Sequence, residues 1–196
     1  MASRDADAPA PRAAAAERIL EAAARRVRTH GAADTSMQDV AAEAGVSKAL
    51  IHYHFKSREA LLARLVEWLA HAVVVRERAA LVDSPPAAAV ERLWAWLAQE
   101  LALGDVRVLA ELAGTPTTEV RRATASAARA RLDAAAGTVE RLFSLLGLRP
   151  RVPSAMLAAV TTAFVDGLAV DAAIDGAANP RVAFDVFWLA LLGLAE

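Results

Sequence analysis

Apolar residues recur along this chain at intervals of three and four, and no stretch alternates in the way a half-buried strand does. That period belongs to a helix, so the pattern predicts an all-α protein. The first helix runs from about Ala13 to His30, with Ile19, Leu20, Ala23 and Val27 on one face and Gly31 ending it. Two short helices follow around Gly45. A long fourth helix begins after Ser57 and carries Leu61, Leu62, Leu65, Trp68 and Leu69 inward to about Val82. Ser84-Pro85 restarts a helix that reaches about Leu103 through Leu93, Trp94, Trp96, Leu97 and Leu101. A short one covers Asp105 to Ala113. Thr115-Pro116 opens another long one, closed by Gly147, with Gly137 as a candidate kink. The last two run from about Pro153 to before Gly176, and from Asn179-Pro180 to Leu194. Nine helices result. The expected division is a disordered arm at 1–12, a three-helix unit at 13–60 and a larger helical bundle at 61–196.

The stretch from Ser36 to Leu61 is the most specific part of the pattern. Ser36 caps the second helix, with Asp39 three residues on, and Met37, Val40, Ala41 and Ala44 form its apolar face. Gly45 supplies the left-handed residue that ends it, and Ser47 caps the third helix. At about 100° per residue, Ile51 and Phe55 point into the core while Ala49 and Tyr53 point away, with Leu50 and His52 on the flanks. No acidic residue stands on that outward face. A major-groove reader needs such a helix, so the motif is a helix-turn-helix.

Charge refines this picture. The net charge is -1 and the pI about 6.4, so no global positive field announces a nucleic-acid partner. All but two of the 22 basic residues are arginine, and the two lysines, Lys48 and Lys56, bracket the third helix. A compact, flexible ammonium suits a phosphate oxygen that must be reached rather than gripped. The absence of cysteine fits a reducing cytosol, and residues 1–12 lack the apolar segment of a signal peptide. Mean hydropathy is +0.31, yet charge or glycine interrupts the apolar runs within about a dozen residues, too short to cross a bilayer. A cytoplasmic protein with no membrane partner is expected.

The run Glu17-Arg-Ile-Leu-Glu-Ala-Ala, then Gly31, Thr35-Ser36, Val40-Ala41, Ala44-Gly45-Val46-Ser47-Lys48, Tyr53-His54-Phe55 and Ser57-Arg58-Glu59-Ala60-Leu61 resembles the TetR family of bacterial repressors. Val165-Asp166-Gly167-Leu168-Ala169 is similar to a segment of that family's penultimate helix. The resemblance implies the nine-helix two-domain fold, a homodimer on double-stranded operator DNA with near-palindromic half-sites, and a C-terminal pocket whose ligand releases the DNA. It also implies that Lys48 and Lys56 contact phosphates, assisted by Arg58 and the backbone at Ser36, and that Tyr53 faces the groove. Ser47, Ala49, Leu50 and His52 complete the DNA-facing set. The chain departs from the family at Ala49-Leu50, where glycine and threonine are usual, at His52 in place of tyrosine, and at Val27 and Ala32 in place of larger aromatics. Leu50 stands either against a thymine methyl or in the core.

Other chemistries fare worse. His52 and His54 diverge by about 200° on a helix and cannot share one ion, so no metal and no cofactor is expected. The C-terminal half has no histidine, cysteine or lysine, which leaves an enzyme without a nucleophile–base pair. An architectural DNA-binding protein with no effector shares the same motif and stays open. For an effector pocket the candidates are Trp94, Trp96, Glu111, Thr162 and Asp166, with Thr161 as a further polar group. Arg121, Arg122, Arg129 and Arg131 read as solvent-facing, so the ligand is expected to be largely apolar and uncharged or cationic. The last two helices are apolar around more of their circumference than one core needs. They are therefore the expected dimer interface, through Phe164, Gly167, Leu168, Phe184, Phe187 and Leu191.

Overall fold

The computed structural model describes residues 11–174 and 179–196. Among them stand nine α-helices and no strand: α1 (Pro11–His30), α2 (Met37–Ala44), α3 (Lys48–His54), α4 (Arg58–Ala80), α5 (Ala89–Leu103), α6 (Asp105–Ala113), α7 (Thr118–Leu146), α8 (Ser154–Ile174) and α9 (Pro180–Leu192). The arm expected at 1–12 falls largely outside the described residues, and α1 already begins at Pro11.

The boundaries follow local chemistry. Ser36, Ser47, Ser57 and Asn179 each accept a hydrogen bond from a backbone N–H in the first turn of the helix they precede. Gly45 and Gly147 end α2 and α7 at φ 63° and 67°, a conformation that costs a side-chain-bearing residue roughly 1 kcal/mol or more. The helix expected from Ser84-Pro85 starts later. A single 3-10 turn at Pro86–Ala88 intervenes, and α5 begins at Ala89, because two successive prolines deny the first turn its N–H donors. α7 passes through Gly137 without interruption.

One hydrophobic cluster runs through the whole chain. α1 contributes Ile19, Ala22, Ala23 and Val27, α2 and α3 contribute Val40, Ala41 and Ile51, and Phe55 closes the trio just after α3. α4 begins immediately behind α3 and carries Leu62, Leu65, Val66, Leu69 and Val73 into the middle of the cluster. Its main partner is α7, whose Ala123, Ala127, Ala134 and Ala135 let the two backbones approach closely. Each fully buried leucine such as Leu69 adds about 1.5–3 kcal/mol. Val27 and Ala32, smaller than family usage, are both buried, so the neighbours have closed over them. At the far end, Arg149 and Arg151 donate backbone hydrogen bonds to Glu196 and Leu194, each at 2.8 Å, fastening the C-terminus to the α7–α8 loop.

Candidate nucleic-acid interface and effector region

The α2–turn–α3 unit is held by paired caps. The Ser36 hydroxyl accepts from the Asp39 N–H at 3.2 Å, and the Ser36 N–H donates to the Asp39 carboxylate at 3.0 Å. Those bonds to Ser36, aided by the charges of Arg26 and His30, hold the Asp39 carboxyl below its usual range. Ser47 accepts from the Leu50 N–H at 3.2 Å. With Ile51 and Phe55 buried, α3 turns Lys48, Ala49, His52 and Tyr53 to solvent, and Lys56 follows them. Leu50 is half-buried and stands at the edge of that face. The Lys56 ammonium lies 6.0 Å from the Tyr53 ring centre, placing a cation beside the aromatic on one exposed surface.

Arg58 is placed differently from the expectation. Its guanidinium donates to the carbonyl of Thr35 at 2.8 Å and to that of Ala32, both in the α1–α2 loop. An arginine whose Nε and Nη2 hold two loop carbonyls braces the unit from behind. The N–H of Ala32 in turn donates to the Glu111 carboxylate. Glu111 therefore seals the contact of α6 with the end of α1 and stands apart from the cavity that Trp96 and Thr162 line, where it was expected to join them. Around it, Arg107 donates to the Arg28 carbonyl at 2.6 Å, Arg28 pairs with Asp105, and Arg76 bridges Glu100 and Asp105 at 2.8 Å each. Glu100 and Asp105 are almost wholly buried, so this network locks α1, α4, α5 and α6 together at a desolvated junction.

Two more pocket candidates move. Trp94 packs on Phe184 at 5.3 Å and lies beneath the Arg181 guanidinium at 5.2 Å; Arg181 is itself clamped by Glu91 and Asp185. It belongs to the α5–α9 contact. Asp166 accepts from Arg131 and sits beside, not in, the cavity wall. Trp96 and Thr162 do share a small cavity, with Val73, Glu77, Arg131, Ala135, Thr161 and Val165, whose free space of about 10 Å³ is roughly the room of one water molecule. Arg131, expected in solvent, has a side chain only 11% exposed and points inward. Glu77 is the residue missed. It falls four residues after Val73 and four before Leu81, on the buried stripe of α4, so the same periodicity that located the core would have flagged a carboxylate inside it. Burial pushes the Glu77 carboxyl up to about 7, a rise that the Thr138 hydroxyl and the Arg131 charge oppose without cancelling.

The expected interface is also rearranged. Leu168, Phe184 and Leu191 are buried within the subunit, and Phe164 stacks on Phe187 at 4.0 Å, because α8 and α9 pack on each other and on α5 before meeting anything else. What remains outside is a second stripe. Met156, Val160, Gly167, Val170 and Ile174 are exposed along α8, and Val182, Val186 and Leu189 along α9, at the same spacing of three and four. α8 is also long and apolar enough to cross a membrane by length and composition, contrary to the sequence expectation, and only 33% of its apolar window is buried within the subunit.

The pattern of the bacterial regulatory proteins of the tetR family matches residues 19–65, the stretch from the core of α1 through the first turns of α4. Over that stretch the chain is similar to the tetR family. The transcriptional regulator BetI of Agrobacterium fabrum is 41% identical over 51 residues, which are 26% of this chain and 25% of that protein. The match spans no more than a quarter of the curated relatives. Beyond that stretch the likeness is one of fold. A TetR-family regulator from Rhodococcus superposes with TM-score 0.73 at 22% identity over 92% of this chain and 96% of its own. SmeT, solved as a triclosan complex, gives TM-score 0.67 at 22% identity over 90% and 91%. The chain thus shares the all-α fold of these regulators over most of its length, and a sequence match to the tetR family over residues 19–65.

Proposed function

We propose that this protein is a homodimeric repressor that reads operator DNA with α3 and is released by a small ligand held among α4, α5, α7 and α8. The work divides near residue 60. The observation that carries the DNA reading is the outward face of α3, where Lys48, Ala49, His52, Tyr53 and then Lys56 form a surface free of acidic side chains and braced behind by Arg58. Lys48 and Lys56 supply the phosphate contacts and Tyr53 and His52 the groove contacts.

The dimer reading rests on the exposed stripes of α8 and α9. Two adjacent helices with apolar residues in parallel register match a second copy of themselves, forming a four-helix seam about a two-fold axis. Gly167 lies in the middle of the α8 stripe with open space above it, where a facing helix approaches closest. A dimer also accounts for the hydropathy of α8 without a bilayer.

Repression and release follow from α4. It follows α3 after a three-residue link and runs past Arg76 and Glu77, which face different ways: Arg76 into the ion network that holds α1 and α6, Glu77 into the cavity. A ligand that moves α4 changes the spacing of the two recognition helices. A differential affinity of about 3 kcal/mol between the two spacings shifts operator binding more than a hundredfold.

The test is selection of a binding site from random duplex DNA, followed by sedimentation with and without the selected duplex. A palindromic site bound by two subunits is expected. A monomer at micromolar concentration, or selection of an asymmetric site, overturns the proposal. A selected complex that no small molecule dissociates removes the effector and leaves an architectural DNA-binding protein.

A further inference from the structure

We propose that Glu77 is a proton-operated switch in the helix that continues from the recognition unit: neutral, it lets α4 seat on α7 and α8; ionised, it drives α4 off that seat and weakens operator binding. The output rests on the DNA-binding reading above, while the switch itself goes beyond that reading and needs no ligand.

The geometry of the void sets up the switch. Glu77 stands on the buried stripe of α4, only 5% exposed, and lines a space shared with Trp96 of α5, Arg131 and Ala135 of α7, and Thr161, Thr162 and Val165 of α8. The free room there is about 10 Å³, enough for one water. No counter-ion or organic cation fits. A charge on Glu77 is therefore offset only by a proton, by that water or by movement of the walls. Trp96 Nε1, Thr161 Oγ1 and Thr162 Oγ1 are buried with no hydrogen-bond partner among the described residues. One water joins such groups, yet it brings no charge to a carboxylate.

The surrounding charges leave Glu77 uncompensated. From α7, Arg131 lines the same void, but its guanidinium donates to Asp166 of α8. From α5, the wholly buried Glu100 adds a second carboxylate, bonded to Arg76, and Asp105 of α6 shares that arginine. Thr138 of α7 is neutral, and Arg78, next along α4, lies exposed. Burial thus keeps the Glu77 carboxyl protonated up to about 7, so its charge changes close to neutral pH. The effect reaches the recognition unit through the preceding residue. Arg76 ties α4 to Glu100 and Asp105, and Asp105 in turn pairs with Arg28 of α1. An ionised Glu77 places a bare carboxylate near Glu100 and competes with Asp166 for Arg131. Turning α4 toward water relieves both and disturbs the network that seats α1. The seated form is the one that holds the proton, so raising pH through about 7 disfavours it and operator affinity falls.

The experiment has two readouts on the full-length protein. Tryptophan emission is titrated without DNA across neutral pH, for the native chain, Glu77→Gln and Asp166→Asn. Trp96 shares the void with Glu77, so the native chain is expected to show a transition near pH 7 that Glu77→Gln lacks. Asp166→Asn frees Arg131 to meet the carboxylate, and the transition should move down by about 1 pH unit or more. Dissociation constants for the selected duplex are then measured at about pH 6 and pH 8. The native protein should weaken at least about fivefold more than Glu77→Gln between them. The four histidines of the chain are common to both proteins and cancel in that ratio. A transition that survives Glu77→Gln, a midpoint that Asp166→Asn leaves in place, or a ratio within about twofold of unity overturns the proposal. Should Glu77→Gln fail to fold, the shift in Asp166→Asn decides it. A protein that binds no duplex at either pH refutes the DNA-binding reading, and the emission titration, which needs no DNA, still decides the switch.

Discussion

Glu77 makes an unusual prediction about stability. Its carboxyl titrates at about 7 in the folded protein against 4.5 when free, so between those values the folded state holds a proton that the unfolded state has lost. Where the native state binds more protons, stability falls as pH rises. Integrating the difference gives a penalty of about 1 kcal/mol at pH 5 and about 3 kcal/mol at pH 8. Replacing Glu77 with Gln keeps the shape and removes the titration. The variant should therefore gain about 2–3 kcal/mol on the native protein between pH 5 and pH 8, whatever its fixed offset. At about 2–4 °C per kcal/mol for a chain of this size, that is a relative rise in melting temperature of roughly 5–10 °C. Paired urea titrations at pH 5, 6, 7 and 8 measure it, and every other titrating group cancels in the difference unless it is coupled to Glu77. The groups facing Glu77 that can couple are Arg131, Glu100 and Arg78, alongside the neutral Thr138. A difference that stays flat with pH would refute a desolvated carboxyl here.

Three further outcomes are expected. Lys48→Ala/Lys56→Ala should weaken operator and random DNA alike and reduce the slope of log affinity against log salt by about 1–2, whereas Tyr53→Ala should mainly relax base preference; a native salt slope in the double variant refutes the phosphate roles. Gly167→Phe should fold normally, since nothing lies within 4 Å of a Cβ there, yet sediment as a monomer and lose more than about tenfold in operator affinity. Arg58→Met should destabilise the protein by about 1–3 kcal/mol by stranding the Thr35 and Ala32 carbonyls, and should leave the salt slope unchanged if the residue braces rather than binds DNA.

The recognition unit was legible in the sequence because each of its features is local. Ser36 with Asp39, Gly45 and Ser47 act within four residues of themselves, so spacing alone reports their geometry. The helix count was legible for the same reason, since periodicity and caps do not depend on what a helix packs against. Arg58 shows where this stops. It lies among residues that all belong to the DNA-facing unit, but its partners are carbonyls 23 and 26 residues away. Likewise, α8 and α9 display apolar residues all round, and only their mutual packing decides that Leu168, Phe184 and Leu191 lie inside while Val160, Val186 and Leu189 lie outside.

Arg131 departs from the expectation that its helix turns its arginines to solvent, for a reason that bears on helices rich in arginine. Arg121, Arg122, Arg129 and Arg131 follow one another along α7, and composition gives no ground for separating the last from the rest. Helical phase does separate it. Arg131 falls four residues after the buried Ala127 and three before the buried Ala134, on the face that α4 covers, while the other three arginines are exposed. A cation forced onto a buried face needs a carboxylate, and Asp166 on α8 provides one. That pairing leaves Glu77 with no cation of its own, and it is what turns an apparently balanced wall into one with a net negative charge above pH 7. The sequence therefore contained the two clues, Glu77 and Arg131 each at a core phase of its helix. It lacked the third, that α8 brings Asp166 to Arg131 first.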